Sequence, residues 1–262
     1  MNSQYIENPS QHHYTDTTSY VHTIMTEYDG VFFDIGGVIL DLASVREGHI
    51  ELLARIADQE GIEDVESLIA DWRSSLGEYF NGRDGTEYRR AKIGYQRAID
   101  AAVGYEVPEE TWLTAFEAAS EECLQPNPNA VETIRSLDQM DVYLGIISDI
   151  DTWEADAILT RFGVVDRFDH ITTSEEIGRT KPDPAMFDAA LEKASVEPEC
   201  ALYIGDRYKH DMQGGTRAGL VTVAYGNSAV EHADSESVDY TVDDLSVLCD
   251  LIEGQQPNHA RR

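Results

Sequence analysis

Four short apolar runs of this chain lead, in a fixed order, to polar residues that phosphoryl-transfer chemistry requires. Asp34 ends the first run, Ser148 ends the second, and Lys181 comes one loop after the third. Asp206 ends the fourth run, with Asp211 five residues further on. Apolar runs separated by helical segments are typical of buried parallel strands, and such sheets bind ligands at the carboxyl ends of their strands. The pattern therefore predicts that these side chains meet at one edge of one sheet, as in an enzyme.

The residues at the ends of the first two runs and in the loop after the third each have a chemical role that fits this prediction. A carboxylate such as Asp34 can attack phosphorus and form an aspartyl-phosphate. Gly36 and Gly37, which follow it, permit a tight turn and a close approach of backbone amides to a phosphate. The Ser148 hydroxyl can donate to a phosphate oxygen, and two prolines stiffen the loop that carries the Lys181 ammonium. Taken singly, Asp34 and Ser148 could equally be a turn residue and a helix cap.

The last two carboxylates predict a magnesium site. Hard Mg²⁺ takes one or two carboxylates together with phosphate oxygens and water, although capping would also explain Asp206 and Asp211. Asp34, both of these residues and a phosphate dianion would crowd one pocket. Each like-charge pair near 4 Å costs roughly 4 kcal/mol at an effective dielectric of 20. Charge balance therefore calls for a divalent cation and for Lys181.

The charge of the chain is unusual and excludes one class of partner. Among its 262 residues, 50 are Asp or Glu and 19 are Lys or Arg, which gives a net charge of −31. A solvated acidic surface with few lysines is typical of halophilic proteins in molar potassium chloride, where the Debye length is about 3 Å. Nucleic acid is excluded as a partner because contact with phosphates needs a basic face.

Cysteine usage and hydropathy predict a cytoplasmic protein without a membrane partner. Cys123, Cys200 and Cys249 are far apart, which favours reduced, mostly buried thiols. The segment 1–24 has neither a cation nor an apolar stretch, so it is not expected to be a signal peptide. No run approaches the roughly 20 apolar residues that span a bilayer.

The apolar periodicity predicts an α/β core interrupted by a helical bundle. A Rossmann-like parallel sheet is expected over 25–41 and 126–254, where apolar strands and helices alternate. The intervening 42–125 shows only helical spacing. Its four helices are expected at 44–60, 64–80, 86–103 and 109–123. In the core, strands are expected at 142–147, 169–173, 201–205, 220–225 and 240–242, with helices at 130–139, 152–162, 184–194, 209–218 and 243–252. An N-terminal extension, 1–24, is expected to be disordered and a tail, 255–262, to be frayed.

The four signals together resemble the haloacid dehalogenase (HAD) superfamily of hydrolases, with a helical cap between the first two motifs. The resemblance covers about residues 27–253 and rests on Asp34-x-Gly36-Gly37-Val38, Ser148, Lys181-Pro182 and Gly205-Asp206-x₄-Asp211. It implies that Asp34 is the nucleophile, with Ser148 and Lys181 as phosphate clamps. It implies Mg²⁺ bound by Asp34, Asp206, Asp211 and the carbonyl of Gly36. Gly37, Ser148, Asp149 and Lys181 would surround the substrate.

One departure from the family pattern bears on the reaction. Phosphatases of the family usually have a second Asp, a general acid and base, at the position of Gly36. We expect a Mg²⁺-dependent phosphatase of a small phosphorylated metabolite, acting as a monomer or homodimer. A metal-free 2-haloacid dehalogenase is the alternative, because halide needs no protonation, and a catalytically weak protein that binds phosphorylated ligands is the third reading. Substrate choice is expected to lie in the cap. The cap residues that could reach a substrate are Arg83, Arg89, Arg90, Tyr95 and Trp112, although residues of these types more often belong to the surface or the core of a cap.

Overall fold

The structure, a computed structural model, describes residues 28–255. The predictions for the N-terminal extension 1–24 and for all but the first residue of the tail 255–262 lie outside the described residues. Within 28–255, no helix combines the length and the apolar character needed to cross a bilayer.

A six-stranded parallel sheet forms the core, as the alternation of strands and helices predicts. The strands are β1 (Gly30–Phe33), β2 (Tyr143–Ser148), β3 (His170–Thr173), β4 (Ala201–Gly205), β5 (Val221–Tyr225) and β6 (Tyr240–Val242). Their order is β3-β2-β1-β4-β5-β6, and every neighbouring pair is parallel. The expected Rossmann-like α/β fold class is confirmed.

The register of the central strands brings the predicted site residues together. Phe33, the last residue of β1, pairs with Ile146 of β2 on one side and with Ile204 of β4 on the other. Asp34 therefore leaves the sheet between the ends of β2 and β4. Ser148 and Asp206 stand at those two ends, so three polar residues share one edge.

Four helices between β1 and β2 form a bundle with its own hydrophobic core. They are α1 (Leu42–Glu60), α2 (Val65–Asn81), α3 (Ala91–Val103) and α4 (Glu109–Cys123). Asp41 starts α1 by accepting hydrogen bonds from the amides of Ala43 and Ser44, and Gly61 ends it in the left-handed region, with φ 67°. Trp112, Phe116 and the facing residues of the other helices are buried in one cluster separate from the sheet. We call α1–α4 the helical insert.

The remaining helices cover the sheet. They are α5 (Ala130–Asp138), α6 (Thr152–Arg161), α7 (Ser174–Ile177), α8 (Pro184–Ala194), α9 (Gln213–Arg217), α10 (Asn227–Val230) and α11 (Val247–Ile252), with 3₁₀ turns at Val165–Arg167 and Pro198–Cys200 and a π-helical turn at Tyr208–Met212. The largest apolar cluster fills the space between β1, β2, β4 and β5 and the helices α5, α6 and α11.

Four details differ from the predictions. The helix expected at 86–103 begins at Ala91, because the preceding residues bond to a loop of the core: Thr180 N donates to Thr86 O at 2.8 Å and Tyr88 N to Gly178 O at 3.2 Å. The helix expected at 209–218 is a π-helical turn followed by α9, and the one expected at 243–252 begins at Val247. The three cysteines are free and half-buried, whereas mostly buried thiols were expected.

Candidate active site

The ammonium of Lys181 occupies the centre of the site. Its Nζ lies 2.9 Å from Oδ2 of Asp34 and 2.7 Å from Oδ1 of Asp211. It also donates to the carbonyl of Ile147 at 3.1 Å and to the hydroxyl of Tyr203 at 2.8 Å. Every polar partner of this buried cation thus comes from the ends of β1, β2 and β4 or from the loop and turn that follow β4.

Asp34 is held in one orientation by two donors on the same oxygen. The amide of Ile35 lies 2.8 Å and the hydroxyl of Ser148 2.7 Å from its Oδ1. Ser148 is therefore oriented toward the site and does not cap α6, which begins four residues later at Thr152. The chain thereby brings the predicted nucleophile, hydroxyl and ammonium into contact.

Three carboxylates form a cluster with the chemistry of a cation site. Oxygen atoms of Asp34, Asp206 and Asp211 lie within 4.8 Å of one another, and all three side chains are buried. Oδ2 of Asp206 accepts a hydrogen bond from Asn227 at 2.6 Å, whereas its Oδ1 is buried and accepts no hydrogen bond from the described residues; Nε of Arg207 lies 3.9 Å from it. A buried carboxylate oxygen without a hydrogen bond is costly, and hard oxygen donors are what Mg²⁺ prefers. The cluster fits the ion that the sequence predicts.

The two glycines after Asp34 differ in how much room there is for a side chain at their positions. Gly37 has φ 80°, and a Cβ there would lie 2.2 Å from Oδ2 of Asp206, so only glycine leaves room for that carboxylate. Its amide donates to the carbonyl of Leu40 at 2.9 Å and is not free for a phosphate in this structure. At Gly36 a Cβ would meet only Leu42, at 3.8 Å.

Arg207 is a site residue that the motif reading missed. Its Nη2 lies 2.9 Å from Oδ2 of Asp149 and 3.9 Å from Oδ2 of Asp34. Asp149 in turn accepts from the amide of Lys181 at 2.8 Å and from the hydroxyl of Ser174 at 3.0 Å. Asp149, predicted to contact substrate, here orients the loop of Lys181 and the guanidinium. The sequence did contain a signal for this role of Arg207, because it is an arginine next to a motif aspartate in a chain with few cations.

Burial and mutual charge shift the protonation equilibria of the cluster. Burial, followed by the charges of Asp34 and Asp211, raises the pKa of Asp206 to about 6. Burial also raises the pKa of Asp34, although Lys181 opposes this shift. For Lys181, burial alone would lower the pKa, but Asp211 and Asp34 outweigh it, so the pKa is raised. The ammonium is therefore charged and carries much of the cluster's charge compensation.

A cavity of about 450 Å³ lies between the carboxylate cluster and the helical insert. Of the five insert residues named as able to reach a substrate, Arg83, Arg89 and Tyr95 line this cavity. Trp112 does not, because it is fully buried in the core of the insert. Arg90 pairs instead with Glu175 at 2.7 Å.

Asp151 joins the sheet edge to the insert. Its carboxylate accepts hydrogen bonds from the amides of Ala91 at 2.8 Å and Lys92 at 3.2 Å, the first two residues of α3. It also accepts from the hydroxyl of Tyr88. A carboxylate favours the amino end of a helix because unpaired amides and the helix dipole are both positive there. Residues of the core loop after β2 thereby fix the start of an insert helix.

The parallel sheet, the helical insert after its first strand and the ordered Asp, Ser, Lys and Asp motifs at one edge define a family of hydrolases. The model of the haloacid dehalogenase-like hydrolases matches residues 28–219, and the chain belongs to this family. It is therefore a hydrolytic enzyme, as the motifs predict.

The relatives and a solved structure agree with this assignment. The chain is 25% identical over 238 residues to a glyceraldehyde 3-phosphate phosphatase of Methanothermobacter thermautotrophicus, an alignment that covers 85% of this chain and 98% of the relative. It is 27% identical over 234 residues to a ribulose-1,5-bisphosphate 5-phosphatase of Halopiger xanaduensis, again covering 85% and 98%. The fold resembles that of a HAD phosphatase from Thermococcus onnurineus, with a TM-score of 0.63 and 21% identity over 87% of this chain and all of the other.

Proposed function

We propose that the chain is a Mg²⁺-dependent phosphatase that hydrolyses a small phosphorylated metabolite through an aspartyl-phosphate on Asp34. The contact between Lys181 and both Asp34 and Asp211, beside a buried oxygen of Asp206 that accepts no hydrogen bond from the described residues, carries this proposal. Such an arrangement joins a nucleophile, a cation for the phosphate and a metal cluster in one pocket. The names of the two relatives support phosphate esters as the substrate class.

In the first step, the Asp34 carboxylate attacks phosphorus, the phosphorus–oxygen bond breaks, and the leaving group departs as an alkoxide that takes a proton from water. The amide of Ile35 and the hydroxyl of Ser148 hold the carboxylate in position for this attack. Lys181 neutralises the charge that the phosphate brings next to Asp34. In the second step, water cleaves the aspartyl-phosphate, releases inorganic phosphate and restores Asp34.

The residues fit Mg²⁺ as the metal of this site. Asp34, Asp206, Asp211 and the carbonyl of Gly36 would hold it. When bound, the ion would neutralise phosphate charge and help to orient the ester. Gly37 contributes by leaving space for the Asp206 carboxylate.

Gly36 sets the range of esters that we expect to react. The family's usual acid at this position would protonate the leaving alcohol, and such help is worth about 10²–10⁴-fold. A glycine cannot supply that proton. Esters of acidic alcohols should therefore react fastest.

The helical insert is best explained as a cap, with 42–125 as the cap and 25–41 with 126–254 as the catalytic core. It supplies one wall of the cavity, and the cluster at the sheet edge supplies the other. A lid that excludes water favours the chemistry of a buried phosphate and brings substrate-reading side chains near the leaving group. The acidic composition adds the expectation of a cytoplasmic enzyme that works at high salt.

The alternative reaction is hydrolytic dehalogenation of a 2-haloacid, which Gly36 would permit because halide leaves without a proton. The carboxylate cluster argues against it, since halide displacement needs no metal site. A weakly active phosphate-binding protein is a third possibility, and only Gly36 favours it.

One assay separates these functions. Turnover of p-nitrophenyl phosphate and of 2-chloropropionate is measured in molar KCl, each with Mg²⁺ and with EDTA. Phosphate release that requires Mg²⁺ and disappears in folded Asp34→Asn supports the proposal. Chloride release in EDTA would establish the dehalogenase instead, and inactivity with tight binding of a phosphate ester would establish the binding protein.

A further inference from the structure

Arg83, on the insert side of the cavity, is a cation whose guanidinium has no ion pair or hydrogen bond with the residues that the structure describes, 28–255. It is half-buried and lines the same cavity as Asp34. Every other buried or half-buried arginine or lysine within 28–255 has an ion pair or a hydrogen bond. These residues are Arg55, Arg89, Lys92, Lys181, Lys193 and Arg207. The chain has 50 acidic residues that could pair with a cation. The lack of an ion pair at the half-buried Arg83 therefore requires an explanation.

The neighbouring Arg89 shows the contrast. It also lines the cavity, but its Nη1 donates to the carbonyl of Tyr79 at 2.7 Å and its Nη2 to that of Gly82. Its guanidinium thus closes the turn between α2 and α3. Arg83 lies inside that turn and has no such structural use.

The segment that carries Arg83 is tied to the loop of Lys181. Thr86 Oγ1 donates to Asp183 at 2.6 Å, and the amide of Thr180 donates to the carbonyl of Thr86 at 2.8 Å. These bonds flank Lys181 on both sides in sequence. The turn with Arg83 is therefore held against the loop that brings the ammonium to Asp34.

Apart from Asp34 and Asp206 of the carboxylate cluster, the acidic groups that line the cavity have partners among the described residues. Asp149 is engaged by Arg207 and the amide of Lys181, and Asp151 by Tyr88 and the start of α3. Glu154 bonds to Tyr95. An arginine that faces such a cavity without a carboxylate of its own presents five donors suited to a planar or tetrahedral anion.

We propose that Arg83 binds a second anionic group of the substrate, a carboxylate or a second phosphate, at the end away from the reacting phosphate. This inference rests on the proposed phosphatase function. It narrows the substrate class to small metabolites with two anionic ends. Arginine is suited to this task because its fork pairs with either group through two parallel hydrogen bonds.

Matched pairs of substrates test the proposal and show whether the second anionic group is a carboxylate or a phosphate. One pair is 3-phosphoglycerate against glycerol 3-phosphate, which differ in a carboxylate. The other is ribose 1,5-bisphosphate against ribose 5-phosphate, which differ in a phosphate. The wild type should prefer the doubly anionic member of at least one pair. Arg83→Gln should lower kcat/KM for that member about 10- to 100-fold, mainly through KM, and change that of its singly anionic partner less than about twofold.

Arg73→Gln is the matched control, because Arg73 is an exposed arginine of the insert that does not line the cavity. It should leave both members of each pair unchanged. Equal losses for both members in Arg83→Gln, or no wild-type preference in either pair, would overturn the role of Arg83.

Binding to folded Asp34→Asn keeps this test independent of turnover. Calorimetric titration with both ligand pairs should show tighter binding of the doubly anionic member in at least one pair, and adding Arg83→Gln should abolish the difference. If the wild type hydrolysed no ester while this difference persisted, the phosphatase proposal would fail and the anion site would stand. Equal affinities within both pairs would reject the anion site whatever the turnover.

Discussion

Oδ2 of Asp34 lies 2.9 Å from Nζ of Lys181, and the side chain of Lys181 is fully buried while that of Asp34 is 4% exposed. The same ammonium lies 2.7 Å from Asp211. Lys181 lies between two carboxylates that would otherwise repel each other at close range, and in the proposed reaction the same ammonium offers a positive charge to the incoming phosphate. Stability and activity should depend on it together.

Lys181→Ala should destabilise the folded protein by about 3–5 kcal/mol, because it leaves two buried carboxylates without their common partner. Its phosphatase activity should fall at least 100-fold. Urea unfolding in molar KCl with EDTA, and turnover of p-nitrophenyl phosphate, measure the two effects. Lys193→Ala is the control: this lysine pairs with Glu176 at 2.7 Å near the surface and should cost about 1 kcal/mol or less. Similar stability losses in the two variants would contradict the role of Lys181.

The sheet and the meeting of the motifs could be predicted because both depend on local patterns. Each apolar run ends at the residue where the chain leaves the sheet, and parallel strands place those ends at one edge. The meeting of the motif residues Asp34, Ser148, Lys181 and Asp206 could therefore be predicted even though the conformations of the loops could not. The helix bounds at 184–194 and 109–123 were also correct, since Asp183 and Pro184 start one helix and Pro108 precedes the other.

What could not be predicted depends on contacts between distant segments. Residues 86–90 have helical periodicity, yet bonds to 178–180 hold them extended. Asp151 looks like an ordinary cap of α6, but its carboxylate bonds to α3, some 60 positions earlier in the chain. Arg207 can be recognised as a site residue only in the folded chain, where it lies beside Asp149. Sequence spacing along one element carries no information on such pairs.

Gly37→Ala should weaken Mg²⁺ binding at least tenfold. The new Cβ would lie 2.2 Å from Oδ2 of Asp206, so the carboxylate must move, and φ 80° adds backbone strain. Calorimetric titration with Mg²⁺ measures the change. Gly77→Ala is the matched control, because a Cβ there meets nothing within 4 Å and the residue lies inside α2. It should leave Mg²⁺ affinity unchanged and stabilise the protein by about 0.5–1 kcal/mol. Equal Mg²⁺ affinities in both variants would show that Gly37 does not make room for the ligand.

Gly36→Asp should speed the hydrolysis of glycerol 3-phosphate about tenfold or more and change that of p-nitrophenyl phosphate less than about twofold. Alkoxide leaves poorly without a proton, whereas p-nitrophenolate leaves without one. The position has room, since a Cβ at Gly36 meets only Leu42, at 3.8 Å. Gly36→Asn has the same size and cannot supply the proton, so it should give no gain. If Asp and Asn had equal effects, the missing acid would not limit the rate.

Mg²⁺ binding should weaken as the pH falls through about 6. Burial and the charges of Asp34 and Asp211 raise the pKa of Asp206 to about 6, and a protonated carboxyl is a poor metal ligand. Below that value, affinity should fall about tenfold per pH unit. The increase in Tm caused by Mg²⁺ should therefore be larger at pH 7.5 than at pH 5.

The same shift predicts the opposite trend without metal. A carboxyl with a raised pKa in the folded state stabilises the fold most below its unfolded pKa, and this contribution is lost as the pH rises through about 6. Unfolding in EDTA measures it against Asp206→Asn, which cannot titrate. A Tm increase with Mg²⁺ that is equal at both pH values would show that Asp206 is not a ligand.

Asp151→Ala should loosen the insert and reduce activity together. Asp151 is buried and bonds to the amides of Ala91 and Lys92, so its loss leaves the first turn of α3 uncapped at a cost of about 1–2 kcal/mol. Hydrogen exchange of those amides should accelerate. Because Tyr88 loses its partner as well, the cavity wall should shift, and kcat/KM should fall about tenfold or more.

Asp64→Ala supplies the comparison that separates capping from docking. Asp64 is exposed and caps α2 through the amide of Ser67 at 3.0 Å, a hydrogen bond that stays within the insert. Its loss should cost about 1 kcal/mol, while kcat/KM stays near that of the wild type. Both variants remove a helix cap, but only Asp151→Ala also removes a bond between the insert and the sheet edge. Equal activities in both would mean that the bond between Asp151 and α3 contributes to folding alone, and that the cavity keeps its shape without it.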